Sequence, residues 1–315
     1  MKLRSLTWIL LAALLAVTVL ACGEDEEEEG VGVTATPEAT PSGGFPITIT
    51  DDDGDEITLA EAPGRIVALA PSYVEVLFAI GGGDLVVAAD ENTDYPPEAA
   101  DLPKLSGFDP SVEAIVSEEP DVVLISYDPR GLKDALRSNG VAVLLLASPE
   151  DLEGVYTQIN ILGRVSGHAA EAQKLVSGMR EDVAVIVAGI PEGSAAPRVY
   201  HEVDNTLYSV GPGSFLHDLY ATLRADNIAQ ATGEAFPQLG NEAVIAADPE
   251  VIILADEAFG ESADTVAARP GWDQISAVIS GRVYGVDPDI MSRPGPRLVA
   301  ALDLLAGYLY PEPAE

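Results

Sequence analysis

The chain has 315 residues, 47% of them hydrophobic, enough apolar material for one large domain or two medium ones with cores of their own. Acidic residues outnumber basic ones 52 to 16, which excludes a nucleic-acid partner, because neutralising phosphates takes lysines and arginines in number. A single cysteine excludes an intrachain disulfide framework.

The start of the chain reads as an export signal. Lys2 and Arg4 precede the apolar run LTWILLAALLAVTVLA, which ends in small residues before Cys22. Residues 1–21 are therefore expected to be removed. A cysteine directly after the cut resembles the lipobox of bacterial lipoproteins, in which that residue is lipidated, although Val19 stands where leucine is more usual. The alternative is an uncleaved membrane anchor; both place the remainder outside the cytoplasm. Residues 22–45, acidic and then rich in Thr, Pro, Ser and Gly, cannot bury apolar surface and read as a disordered tether.

From residue 46 to 148 the pattern is that of an α/β lobe. FPITITDDDGDEITL alternates as a hairpin with its turn at Asp-Asp-Asp-Gly. Strands follow at 65–70, 85–89, in DVVLIS and at 141–147. Between them lie a helix capped by Ser72, a helix capped by Asp109 with Pro110 behind it, and a short helix at 130–138. Strands that are apolar throughout and alternate with helices predict a parallel sheet covered on both faces. Residues 149–190 carry helical periodicity with no strand and predict one long bridging helix. The α/β pattern then restarts over 196–315, with strands in RVYHEV, EVIILA and RVYGVD and a closing helix at 296–310. The expected fold is two Rossmann-like α/β lobes with parallel sheets, joined by a rigid helix.

One line is written twice. VEAIVSEEPDVVLIS begins at residue 112 and NEAVIAADPEVIILA at 241, which puts Glu113 and Glu242 129 positions apart. That period is too long for a solenoid and matches one helix–strand unit per lobe. A glutamate in a first helical turn complements the helix dipole whatever else it does.

Enzymatic motifs are missing. There is no Gly-Lys pair for a phosphate-binding loop, no Gly-x-Ser-x-Gly elbow and no His-Glu-x-x-His, and no catalytic or metal-ligating residue is assigned. GPGS at 211–214 reads either as an anion cradle or as a turn with Ser214 capping a helix. His168, His201 and His217 lie in three elements without ligand spacing; His201 ends a strand and is a candidate for the cleft.

Residues 64–315 resemble the substrate-binding proteins of bacterial importers for vitamin B12, ferric siderophores and haem. The resemblance is carried in order by RIVALAPSYVEVLFAIGGGDLVV, DYPPEAADLPKLSGFDPSVEAIVSEEPDVVL, YHEVDNTLYSVGPGSFLHDLYATLRADNIA and SRPGPRLVAALDLLAGYLYPE. It implies a cleft between lobes for one large ligand, little lobe closure, a monomer, no catalysis and no cofactor beyond the cobalt or iron of the cargo. It also implies an ABC permease and its ATPase as partners, with Glu113 and Glu242 as the glutamates that meet arginines on the permease. By position the candidate ligand contacts are Tyr73, Tyr95, Phe108, Tyr127, His201, Tyr208, Met291 and Arg293. A corrinoid, nearly neutral and rich in amides, needs no basic cluster and is the first expectation. A ferric siderophore or haem is the alternative, with His201 or Tyr73 as the axial group a haem would want. A surface lipoprotein that reuses the fold without transport is the rival from another class.

Overall fold

The computed structural model describes residues 44–311. The expectations for the export signal, for Cys22 and for nearly all of the tether lie outside those residues.

The first lobe begins with the antiparallel hairpin β1 (Ile47–Thr50) and β2 (Glu56–Leu59). β3 (Ile66–Ala68), α1 (Pro71–Ala79), β4 (Val86–Asp90), β5 (Lys104–Leu105), α2 (Val112–Ser117), β6 (Val122–Ile125), α3 (Leu132–Ser138) and β7 (Ala142–Leu145) follow. Apart from the hairpin, the lobe holds one five-stranded sheet, all parallel, in the order β5-β4-β3-β6-β7. Every residue of β6 is buried, as strands covered on both faces must be.

Then come α4 (Leu152–Ser166) and α5 (Ala169–Ala188). The second lobe holds β8 (Arg198–Glu202), α6 (Phe215–Thr222), β9 (Asp226–Asn227), α7 (Asn241–Ala247), β10 (Val251–Leu254), α8 (Ala263–Ala267), α9 (Ser276–Ile279), β11 (Val283–Gly285), α10 (Pro288–Ser292) and α11 (Leu298–Leu309). Its four parallel strands run β11-β10-β8-β9.

The helical stretch differs from its expected form. It is two helices, because Gly167 adopts the left-handed conformation (φ 79°) that closes α4 and turns the chain. The two then pack closely at Gly163, where a Cβ would stand 2.3 Å from that of Ala172. The 20 residues of α5 make a helix about 30 Å long.

Several caps also move. Ala70 and not Ser72 precedes α1, with Pro71 in its first turn and no side-chain cap. Ser111 rather than Asp109 caps α2, its hydroxyl oxygen accepting from the Ala114 amide. At α7 the pattern places Asn241 as the cap, but Gly240 precedes the helix and Asn241 instead accepts a 2.5 Å bond from the Trp272 indole.

One apolar core runs from β3 and α1 through α4 and α5 to β8, α6 and α11, so the two lobes share it. Each sheet's other face has a core of its own. Ile115 of α2 lies in the first, Val244 of α7 in the second.

The interlobe cleft as candidate functional site

In a parallel sheet the loops at the carboxyl ends of the strands converge on one edge, and that edge is where such folds bind. Here the two edges face one another. Arg293, which follows β11 and α10 in the second lobe, donates to Asp94 (2.6 Å), to Glu75 (3.1 Å) and to the carbonyl of Asn92, all in the first lobe. Arg297 grips Glu75 through two bonds of 2.9 and 2.6 Å. Glu75 is buried, and its carboxylate is satisfied by these two guanidinium groups from the opposite lobe. Asp289 lies 2.8 Å from Arg293 and extends the cluster. The pairing pushes Arg293 and Arg297 upward from the usual arginine value and holds Asp94 below the usual carboxylate value.

Beside this cluster a cavity of about 340 Å³ separates the lobes, lined by Ser72, Asn92, Ser126, Gln158, Ser292 and the stem of Arg293 among others. Ala70, Pro71, Ala147 and Pro294 complete its walls, so small apolar and polar side chains alternate there. Large exposed apolar side chains stand instead on the carboxyl-end loops around it. In the first lobe Phe108 is 81% exposed, and Tyr127 is brought beside it by a 3.0 Å bond from its hydroxyl to the Gly107 carbonyl. In the second lobe Tyr208 is exposed on a segment bridged to Gln238, two residues beyond exposed Phe236, and Phe259 after β10 is 85% exposed. Phe236 and Phe259 were not among the residues expected from sequence. Their signal was available in GEAFPQLG and ADEAFGES, single aromatics in loops that have no core to enter.

Five other expectations are corrected. Tyr73 is buried, with its hydroxyl given to the carbonyls of Leu146 and Ile125, so it packs the cleft wall and offers no free oxygen. His201 is 1% exposed, with Nδ1 2.7 Å from the Tyr220 hydroxyl; burial pushes it down to about 4, and it has no face to present to an iron. Met291 is buried in the shared core. Arg293 faces carboxylates and ties the lobes together. Tyr95 is exposed, but its ring lies under the Arg297 guanidinium at 4.5 Å and lines a groove with Ala79 and Val299 behind the cluster. At GPGS, the Ser214 hydroxyl oxygen accepts from the His217 amide, as a helix cap does.

A second buried acid sits at the end of β10. Asp256 is buried, and neither of its carboxylate oxygens has a partner among the described residues. Burial, and then the negative charge of Glu202, push it up to about 6. Glu202 itself is fully buried and clasped by Arg269 through two 2.6 Å bonds. Among the described residues no group of three or more His, Cys, Asp or Glu is placed to hold a metal.

Glu113 and Glu242 lie away from the cavity. Both are exposed in the first turns of α2 and α7, and neither has an ion-pair or hydrogen-bond partner among the described residues.

Comparison with known proteins agrees with this geometry. Residues 66–290 match the family model described as periplasmic binding protein. An uncharacterized ABC transporter substrate-binding lipoprotein, YvrC, of Bacillus subtilis is 32% identical over 322 residues, 99% of each chain. A cobalamin-binding protein of Halobacterium salinarum is 31% identical over 276 residues, covering 84% of this chain and 74% of that protein. Among solved structures, the periplasmic heme-binding protein RhuT of Roseiflexus superposes with a TM-score of 0.71 at 26% identity, covering 78% of this chain and 97% of that one.

Two outcomes follow from the charges. Glu75→Gln keeps the shape but takes from buried Arg293 and half-buried Arg297 the counter-charge they share, so stability in urea should fall by about 3 kcal/mol and the lobes should part, seen as a larger radius of gyration in solution scattering. An unchanged midpoint and radius would remove the cluster from its structural role. Asp256 behaves oppositely. Its folded-state value is raised, so ionisation costs stability above pH 6, and the cost fades as pH falls through 6 and is gone below about 4. Asp256→Asn should therefore melt higher than the parent at pH 7.5, with the two curves converging by about pH 4. Equal melting temperatures at pH 7.5 would contradict this.

Proposed function

The chain belongs to the periplasmic binding protein family and is the substrate-binding protein of an ABC transporter; from that premise we propose that it captures a corrinoid between its lobes and delivers it to the permease as a monomer. The observation that carries the choice of ligand is the state of the cations. Arg130, Arg269, Arg293 and Arg297, the arginines on or near the facing loops, are each already bonded to carboxylates. A catecholate siderophore or the propionates of haem would need such cations free. A nearly neutral ligand rich in amides asks only for aromatic surface and scattered hydrogen-bonding groups. Phe108, Tyr127, Tyr208, Phe236 and Phe259 supply the first; Ser72, Asn92, Ser126 and Gln158 supply the second. The cobalamin-binding relative supports the same reading.

Titration calorimetry of residues 30–315 with cyanocobalamin, haemin and ferric siderophores is the test. Micromolar or tighter binding of cyanocobalamin is expected, weakened by Phe259→Ala and Phe108→Ala by roughly tenfold each. Binding of haemin or a siderophore alone would replace the corrinoid by the iron ligand, and binding of none would count against transport of this ligand class.

Cys22 is the anchor in this reading, and likeness to a lipoprotein along the whole chain supports it. A lipidated cysteine carries more than one acyl chain, which makes the attachment stable. Cys22→Ser should move the protein from the membrane to the soluble fraction; an unchanged distribution would point to an uncleaved anchor.

Glu113 and Glu242 are the docking groups. Reversing both, Glu113→Arg with Glu242→Arg, should leave cyanocobalamin affinity and melting temperature nearly intact, because both are exposed and unpaired. It should abolish stimulation of the transporter's ATPase, since like charges facing across an interface cost several kcal/mol. Normal stimulation would reduce both residues to helix-start acids.

A further inference from the structure

The carboxyl ends of the two glutamate-bearing helices are built in the same way. In the first lobe Arg65, just ahead of β3, donates from Nε to the carbonyls of Glu118 and Glu119, at 2.9 and 3.0 Å. In the second, Arg198, which opens β8, donates from Nε to the carbonyls of Ala247 and Asp248, at 3.1 and 2.9 Å. These carbonyls belong to the fifth and sixth residues after Glu113 and after Glu242 alike. The sixth residue is left-handed in both copies, Glu119 at φ 49° and Asp248 at φ 45°, though neither is a glycine. An acid two residues further on closes each clip. Asp121 accepts a 2.9 Å bond from the Arg65 amide, and Glu250 accepts a 3.0 Å bond from the Arg198 amide. The amides of Asp121 and Glu250 return 2.9 and 2.8 Å bonds to the carbonyls of Arg65 and Arg198.

Helices of six and seven residues are too short to be stable alone, and their last carbonyls lack partners within the helix. Ile115 and Val244, each two residues after its glutamate and fully buried, seat each helix on its core, with Val112 and Val116 beside the first and Ile245 beside the second. Apolar contact is non-directional and leaves the carboxyl end of so short a helix free to pivot. The arginine satisfies two successive terminal carbonyls, favours the negative end of the dipole and stops that pivot. The left-handed residue is what turns both carbonyls toward one Nε, and a non-glycine there carries backbone strain. That cost is met in both lobes. Neither arginine lines the interlobe cavity.

We infer that Arg65 and Arg198 are positioning residues that set the aim of Glu113 and Glu242 at the permease, one clip for each docking point. The inference rests on the docking reading above. At the 1.5 Å rise of a helix, each glutamate lies roughly 7 Å from the clipped carbonyls, so a tilt there is passed directly to the carboxylate.

The test reconstitutes the full-length chain with its permease and ATPase in proteoliposomes and titrates it for stimulation of ATP hydrolysis, with and without cyanocobalamin. Arg65→Met and Arg198→Met should each raise the half-saturating concentration by about tenfold, and the pair by more, with the maximal rate unchanged. Amide exchange should speed up by about tenfold at 113–118 or 242–247, in the helix whose clip is cut, and not in the other. Melting temperature and cyanocobalamin affinity should hold, and Arg→Lys should restore part of the loss. If either methionine variant melts much lower, Asp121→Asn and Glu250→Gln, which remove only the closing carboxylate, carry the same comparison. Half-saturation like the parent's in these variants, beside failure of the Glu113→Arg, Glu242→Arg protein, overturns the positioning role and leaves docking intact. Normal stimulation by the charge-reversed protein overturns both.

Discussion

A buried carboxylate held by two guanidinium groups from the opposite lobe is the interaction on which the rest of the molecule depends. Glu75 sits on α1, which follows the first strand of the first sheet; Arg293 closes α10 and Arg297 caps the start of α11 in the second lobe. A buried ion pair is a poor source of net stability, since desolvation consumes most of what the attraction returns. Its value is geometric. Breaking it strands a charge out of water, so the lobes have one favourable spacing and a steep cost on either side of it. The core shared through α4 and α5 opposes separation without setting an angle, because apolar contact is non-directional. Bidentate guanidinium–carboxylate bonds supply the direction that the core lacks.

That cluster also decides the chemistry left to the cleft. Arginines that face carboxylates are not free for an anionic ligand, and the remaining lining mixes amide and hydroxyl groups with small apolar side chains, with aromatics on the surrounding loops. A net charge of −36 acts in the same direction, since the field of the whole chain disfavours anionic cargo. Asp256 sharpens the point. A partnerless buried carboxylate at the end of β10 is a cost to the fold, and such costs gather where the surface serves something other than stability.

What the sequence revealed divides along a physical line. The α/β order, both sheets, and the helix–strand unit written twice were legible because apolar periodicity is local and each strand carries its own signature. The break at Gly167 was hidden because helical periodicity continues on both sides of it, and one glycine inside such a pattern is tolerated as often as it is a cap. The site was less legible. Tyr73, His201 and Met291 occupy the chain positions a cleft contact would, yet His201 points inward on β8, where a step of one residue changes face, and Tyr73 and Met291 lie on the buried sides of α1 and α10. Arg293 was recognisable as special but not as paired, because its partners Glu75 and Asp94 lie about two hundred positions away. Phe108, Tyr127 and Tyr208 are exposed on the carboxyl-end loops as their positions implied.

The duplicated unit shows which parts of a lobe are held constant and which are free to change. Between the two copies the glutamate, the buried residue two places on, the left-handed residue, the proline after it and the closing acid recur in register. The arginine that reaches them comes from the start of the strand paired beside the unit's own, β3 beside β6 and β8 beside β10, so the likeness extends to a contact that no local pattern records. The loops at the other ends of the strands share nothing comparable. One offers Phe108 and Tyr127, the other Tyr208, Phe236 and Phe259, and the lobes differ even in strand number. A ligand without two-fold symmetry is gripped by two unlike surfaces, whereas a partner that meets both lobes through the same residue needs the same geometry at both points. On the docking reading proposed above, the constraint on the clips is therefore separate from the one on the cleft, and the two faces of each lobe answer to different partners.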